Sequence, residues 1–328
     1  MKFKKSCVYT FIGVLLLYSS TVGAQLAPYK LTNPVLIRPF GDSITYGVGF
    51  TIDGGCPIYE ILQYICMPPG LKGGGYRGWM TLLSFPPQAD GIVFTTEGYQ
   101  SGGSYVQQWF VNTQTHDGYP GWTIERLTPV AGRPSFSDIT LVHAGTNDMW
   151  QVLQIQNPTD AQMDQIAATT GQNLFNMLNI LLNTNPKTYI FVAQIIKTSA
   201  PQPGSKPFDY NTVNKLIAKY NSYIVNNWIN LPPSSRERMT LVDMHSTLQP
   251  VTDYFQDGIH PNASGYLKMA CSWVRAIKAQ PANQQDPCNG ITNGTQVKKL
   301  TPTAEEIKQM TPSKKVLEQL FKGNLQKK

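Results

Sequence analysis

Histidine is scarce in this chain, with four in 328 residues, and five cysteines accompany it. No Cys-x-x-Cys pair and no Cys/His cluster has the spacing of metal ligands, so neither a metal nor another cofactor is expected. No internal repeat is visible in the chain. It also lacks an apolar run of the roughly 20 residues that a membrane span needs: the stretch Phe11 to Tyr18 is followed at once by Ser19, Ser20 and Thr21. Positive charge is missing where a nucleic-acid surface would need it. The net charge is +7, yet residues 1–24 carry +3 and residues 298–328 carry +5, which leaves residues 25–297 at −1. A body with that balance has no electrostatic footprint for nucleic acid.

What is present begins with an export signal. Met1-Lys2-Phe3-Lys4-Lys5 is a basic start, the apolar stretch follows, and Val22-Gly23-Ala24 offers small residues for cleavage. Residues 1–24 are therefore expected to be a signal peptide cut near Ala24, with the protein secreted, extracellular or periplasmic; an uncleaved anchor is the alternative. With Cys7 removed, four cysteines remain, an even number suited to disulfides in an exported protein. Four cysteines allow three pairings. The one local in sequence, Cys56–Cys66 and Cys271–Cys288, would close two short loops, each contributing about 2–4 kcal/mol.

Apolar runs suited to buried strands alternate with helical patterns. They are Val35-Leu36-Ile37, Ile92-Val93-Phe94, Ile139-Thr140-Leu141-Val142, Tyr189-Ile190-Phe191-Val192 and Leu241-Val242. The intervening helices are legible at 160–183 and 211–229, the second carrying Val213, Leu216, Ile217, Tyr220, Ile224, Val225 and Trp228. A last helix carries Leu267, Ala270, Cys271, Val274 and Ile277. This pattern predicts an α/β fold, a flavodoxin-like three-layer α/β/α sandwich with a five-stranded parallel sheet, over residues 25–280. Two Gly-rich insertions, 48–75 and 97–117, are expected over the site rim. Residues 281–328 form a Lys-rich extension, expected to be partly helical or disordered.

Four short blocks carry chemistry. Gly41-Asp42-Ser43 follows the first strand, so a serine hydroxyl stands at a strand end, beside backbone N–H groups that open a helix. Asp257-Gly258-Ile259-His260 places a carboxylate three residues before a histidine, a spacing that lets Asp257 accept from His260 Nδ1 while Nε2 takes a proton from Ser43. Ala144-Gly145-Thr146-Asn147-Asp148 puts an amide at another strand end, and Pro120-Gly121-Trp122 supplies an unencumbered N–H. An oxyanion hole of Ser43 N, Gly121 N and Asn147 Nδ2 would lower the barrier by about 2.7–4 kcal/mol per donor. Each block alone also reads as a turn or a cap. His143 reads as a core histidine and His245 as a loop residue, while Asp42 and Asp148 are expected to orient backbone.

Taken together and in this order, the blocks resemble those of the SGNH/GDSL hydrolase superfamily. The resemblance implies the same sandwich, a Ser43–His260–Asp257 triad, and ester hydrolysis without a metal. The stretch His116 to Ile124, with Tyr76-Arg77-Gly78-Trp79, is similar to carbohydrate esterase family 3, the acetylxylan esterase-like group, although Tyr119 stands where that group has histidine. That similarity implies O-acetyl groups on carbohydrate as substrate, with His116, Tyr119, Trp122 and Trp109 as candidate contacts. The alternatives are a lipid or longer-chain esterase with Ile58, Ile61, Leu62, Ile65 and Met67 as an apolar lid, or an inactive glycan-binding module. The expected partner is an acylated small molecule or polysaccharide; the oligomeric state is left open.

Overall fold

The computed structural model describes residues 34–49, 74–83, 94–101, 115–278 and Cys288. Outside the described residues lie the expected signal, most of both insertions with Cys56, Cys66 and Trp109, and, Cys288 apart, everything beyond Lys278.

The strands are β1 (Val35–Gly41), β2 (Phe94–Thr96), β3 (Gln100–Ser101), β4 (Thr115–Gly118), β5 (Ile139–His143), β6 (Tyr189–Ala193) and β7 (Met239–Val242). Five of them pair in parallel in the order β2-β1-β5-β6-β7, the doubly wound arrangement expected from the apolar runs. Strand order reverses beside β1, so the carboxyl ends of β1 and β5 flank the crevice where such folds bind ligands. Here Phe40 lies opposite Val142 and Gly41 opposite His143.

Two strands were not expected. β2 covers β1 only as far as Ile37, and β4 takes over that edge at Phe40 and Gly41, with β3 antiparallel to it. The residues of β4 are Thr, His, Asp and Gly, so no apolar run announces it. Its place inside the fold rests on polar partners instead.

The helices are α1 (Ser43–Tyr46), α2 (Tyr76–Leu83), α3 (Ile124–Ala131), α4 (Asp160–Thr184), α5 (Tyr210–Asn227), α6 (Pro233–Arg236) and α7 (Ala263–Lys278), with a 3₁₀ segment at Asn147–Gln154. Alternation along the strands builds a core on each face. Ile139, Leu141, Tyr189 and Phe191 pack toward α2 and α7, whereas Val142, Ile190 and Val192 pack toward α3, α4 and α5. All five residues of β5 are buried, which is why it reads as continuous rather than alternating. A fully buried Leu or Ile contributes about 1.5–3 kcal/mol.

α4 opens on a capping box between Thr159 and Gln162 and buries the apolar stripe expected of it. α5 differs from expectation at one position: Val225 is 45% exposed. The buried stripe runs through Val213, Leu216, Ile217, Tyr220 and Ile224, and Val225 lies a further 100° around the helix, off that stripe. In α7, Cys271 is bonded to Cys288, one of the two local pairings. Among the described residues no helix is long and apolar enough to cross a membrane.

Candidate active site

Ser43 opens α1 at the carboxyl end of β1 and is 8% exposed. Asp42 caps the helix, its Oδ1 accepting from Ile44 N at 3.0 Å, so its carboxyl is turned to the backbone. Gly41 must be glycine, because a Cβ there would stand 2.0 Å from the His143 carbonyl oxygen. From below, Arg77 Nε donates to Thr45 O at 3.1 Å and its Nη2 to Tyr46 O at 3.0 Å, while Tyr76 Oη donates to Thr45 Oγ1 at 3.1 Å. The first turn of α2 thus holds the short helix that carries Ser43. Burial pulls the Arg77 guanidinium down to about 10, which leaves it charged at neutral pH.

His260 and Asp257 sit on the loop that leads into α7. Tyr254 bridges Pro261, Phe255 N donates to His260 O at 2.8 Å, and Ser199 N donates to Gly258 O at 2.7 Å. The buried Asp253 carboxylate anchors the loop to α7, accepting from Lys268 Nζ at 2.6 Å and Ser264 Oγ at 3.1 Å. Asp257 Oδ1 accepts from the backbone N–H groups of Ile259 and His260 at 2.8 and 3.0 Å, leaving Oδ2 2.6 Å from His260 Nδ1. His260 Nε2 is 2.8 Å from Ser43 Oγ. Burial opposes ionisation of Asp257, but the bond and charge of His260, with the two backbone donors, outweigh it and hold the carboxyl below the usual carboxylate range. The group facing Nδ1 is a carboxylate, which fixes the neutral ring in the tautomer that leaves Nε2 free to accept from Ser43.

The Gly121 turn approaches from β4. Tyr119 N donates to Gly41 O at 2.9 Å and Trp122 N to Tyr119 O at 3.2 Å, with Pro120 and Gly121 between them. Gly121 has φ +77°, the left-handed value a type II turn needs at its third residue. Asn147 reaches this turn from the end of β5: its Nδ2 donates to Trp122 O at 2.9 Å, which uses one of its two N–H bonds.

Two of the four candidate substrate contacts point inward, against expectation. His116 is fully buried, its Nδ1 accepting from Gly118 N at 3.0 Å, its ring edge-on to Tyr46 at 5.4 Å. Burial, aided by the charge on Arg77, pushes it down to about 2, so it stays neutral. Tyr119 is buried too, its hydroxyl donating to Asp117 Oδ1 at 3.1 Å. The reason is local: β4 turns His116 into the fold, and Tyr119, the residue after it, is drawn in by Asp117 and by its own N–H bond to Gly41 O. Trp122 is half-buried, stacked on Tyr119 at 4.4 Å, with the Arg126 guanidinium 4.9 Å from its ring centre. Trp109 lies outside the described residues. His143 is fully buried on β5, and burial holds its imidazole below the usual range.

One pair went unnoticed in the sequence. Arg38, inside β1, donates from Nε to Asp117 Oδ2 at 2.7 Å and from Nη2 to Val130 O at 2.9 Å, and both ionic side chains are 2% exposed or less. An arginine within an apolar strand was the available signal, since a buried charge requires a partner.

An α/β sandwich with this arrangement at its switch point is of the doubly wound, parallel-sheet class. In particular, the chain is a member of the GDSL-like Lipase/Acylhydrolase family, whose profile matches residues 40–268. It is 27% identical over 263 residues to a multidomain esterase of Ruminococcus flavefaciens, an alignment covering 74% of this chain and 28% of that protein. The chain therefore spans about 28% of the length of this curated relative. Among solved structures it is similar to a Clostridium thermocellum family 3 carbohydrate esterase, with 20% identity, a TM-score of 0.49, and coverage of 75% of this chain and 98% of that one. A gut microbial diltiazem-metabolizing enzyme shares the fold at 14% identity and a TM-score of 0.50, covering 78% of this chain and 49% of its own.

Proposed function

We propose that this protein, acting after export, hydrolyses small acyl esters, foremost O-acetyl groups on carbohydrate, through an acyl-enzyme on Ser43. The observation that carries the reading is the unbroken hydrogen-bond chain from Asp257 Oδ2 through His260 to Ser43 Oγ, at 2.6 and 2.8 Å. Ser43 Oγ attacks the ester carbonyl as its proton passes to His260 Nε2, and Asp257 stabilises the imidazolium. The oxyanion is received by Ser43 N, Gly121 N and the second N–H of Asn147 Nδ2. Collapse expels the alcohol, which takes the proton from His260. Water, deprotonated by His260, then attacks the acyl group, releases the carboxylic acid and restores Ser43.

Carbohydrate as the leaving group is supported by the stretch His116 to Ile124 and by its neighbourhood. Trp122, half-buried beside the turn, and the exposed Arg126 offer an aromatic edge and hydrogen-bond donors to a hydroxyl-rich alcohol. Across p-nitrophenyl esters, kcat/KM for acetate is expected to exceed that for octanoate by about 10-fold or more, since one methylene misfit changes binding by about 1–3 kcal/mol. Preference for octanoate would replace this reading with the lipid esterase. A fluorophosphonate is expected to label Ser43 covalently, and a chain that stays unlabelled would be the silent glycan-binding module.

Gly121 offers a separate check. Among the described residues, its two chain neighbours apart, no heavy atom lies within 4 Å of where its Cβ would stand, so alanine is opposed there by the left-handed backbone, at about 1–2 kcal/mol. Gly121→Ala is expected to cut kcat about 10- to 100-fold with KM little changed, because a misplaced donor weakens the transition state and not the bound ester. Wild-type kcat in this variant would remove Gly121 from the oxyanion hole.

A further inference from the structure

Residues Asn147 and Asp148 leave the end of β5 side by side, and both reach the same three residues on the far side of β1. Asn147 Nδ2 holds Trp122 O at 2.9 Å, and Asp148 Oδ2 accepts from Ile124 N at 3.1 Å. Ile124 opens α3, and its N-cap residue, Thr123, makes no side-chain cap of its own. The cap is instead supplied from 24 residues further along the chain, by a carboxyl group that is 4% exposed. Trp122, Thr123 and Ile124 are thereby gripped at both ends, directly after the Gly121 turn, whose other side is tied by Tyr119 N to Gly41 O.

We infer that Asp148 is a positioning residue for ester hydrolysis, its carboxyl oxygen holding the Ile124 N–H so that the Gly121 turn keeps its place opposite Ser43. The inference rests on the proposed roles of Ser43 and Gly121. Asp148 neither touches the substrate nor transfers a proton; it acts through the backbone it caps. A serine or threonine at the cap would fix only the helix end, whereas a cap donated from β5 also ties that end to the strand that carries Asn147. Burial raises Asp148, the bonds from Ile124 N and its own backbone oppose this, and the charges of Asp42 and Glu125 add to the rise, which together place it at about 7; the Tyr220 hydroxyl of α5 also lies within reach of its charge. At pH 8 the carboxylate prevails, which is the stronger acceptor and suits the positive end of α3.

The test compares Asp148→Ala and Asp148→Asn with wild type and Ser43→Ala at pH 8, on p-nitrophenyl acetate, with thermal melts by circular dichroism. Asp148→Ala is expected to lose about 10- to 100-fold in kcat with KM within about threefold, the split that marks a transition-state interaction. Asp148→Asn keeps an oxygen for Ile124 N–H and is expected to stay within about fivefold of wild type. Should Asp148→Ala fail to fold, Asp148→Ser, too short to reach Ile124 N, takes its place with the same expectation. A folded Ala or Ser variant with wild-type kcat overturns the inference, and so does an Asn variant as impaired as Ala. If Ser43→Ala keeps its activity, the proposed function itself fails; if Ser43→Ala is inactive while Asp148→Ala is not, this inference alone fails.

Discussion

Replacing Ser43 with alanine is expected to lower kcat/KM for p-nitrophenyl acetate by roughly 10⁴-fold or more while the protein stays folded. The change removes one oxygen from a residue that is 8% exposed, and the helix it opens keeps its supports: the Asp42 cap, the bonds from Arg77 to Thr45 O and Tyr46 O, and that from Tyr76 to Thr45 Oγ1. Alanine is the best helix former, so the melting temperature should move by no more than a few degrees. What disappears is the atom 2.8 Å from His260 Nε2. Because nucleophile and base act as a unit, a Ser43→Ala, His260→Ala double variant should be scarcely worse than either single one. Undiminished hydrolysis by Ser43→Ala would remove the nucleophile and, with it, the acyl-enzyme.

The largest effect on stability is expected at Asp117. Its Oδ2 receives Arg38 Nε at 2.7 Å, and its Oδ1 receives Tyr99 N at 3.0 Å and Tyr119 Oη at 3.1 Å, and the Asp117 and Arg38 side chains are themselves closed to water. Asp117→Ala leaves the Arg38 guanidinium buried without a carboxylate, facing the Val130 carbonyl and, at 5.2 Å, the Phe40 ring, and breaking a buried pair from one side costs about 3–5 kcal/mol. Against a typical folding stability of about 5–15 kcal/mol this is a large share. The pair itself need not be stabilising: replacing both partners by apolar residues of similar volume, Arg38→Met with Asp117→Leu, should restore most of the loss. Guanidinium denaturation of the two single variants and the double variant measures this. A loss below about 1 kcal/mol for Asp117→Ala would show that Arg38 finds water or another partner when its carboxylate is gone.

Such a pair explains which parts of the fold the sequence made legible. The five parallel strands were readable because strands covered on both faces are apolar throughout, as in Ile139–Val142 and Tyr189–Val192. The long helices were readable from their spacing, and Val225 was misplaced because an apolar residue next to a stripe looks like part of it. β4 was not readable at all. Its place beside β1 is satisfied by Arg38, whose partner Asp117 is 79 residues away; an arginine in an apolar strand calls for a partner, but local composition does not say which one.

The site divides along the same line. Asp257 and His260 are three residues apart, and their bond at 2.6 Å is a matter of local geometry, so their pairing could be anticipated from the chain alone. Glycine at 121 was likewise legible as a turn after Pro120. By contrast, Trp122 O is held by Asn147, and Ile124 N by Asp148, through contacts across three strands. His116 and Tyr119 looked like substrate contacts because sequence shows residue type and not the direction a strand turns it.

By itself, then, the sequence determined the class of fold and the residue types able to do ester chemistry, because both depend on periodicity and short-range spacing. The tertiary structure decided which of those residues meet: Ser43 lies 217 positions from His260, and only the closing of β1 against the loop before α7 brings Oγ within 2.8 Å of Nε2. It also decided what holds them, from the Arg38–Asp117 pair to the Asp148 cap, since a buried polar group is satisfied by whatever the packed chain sets beside it.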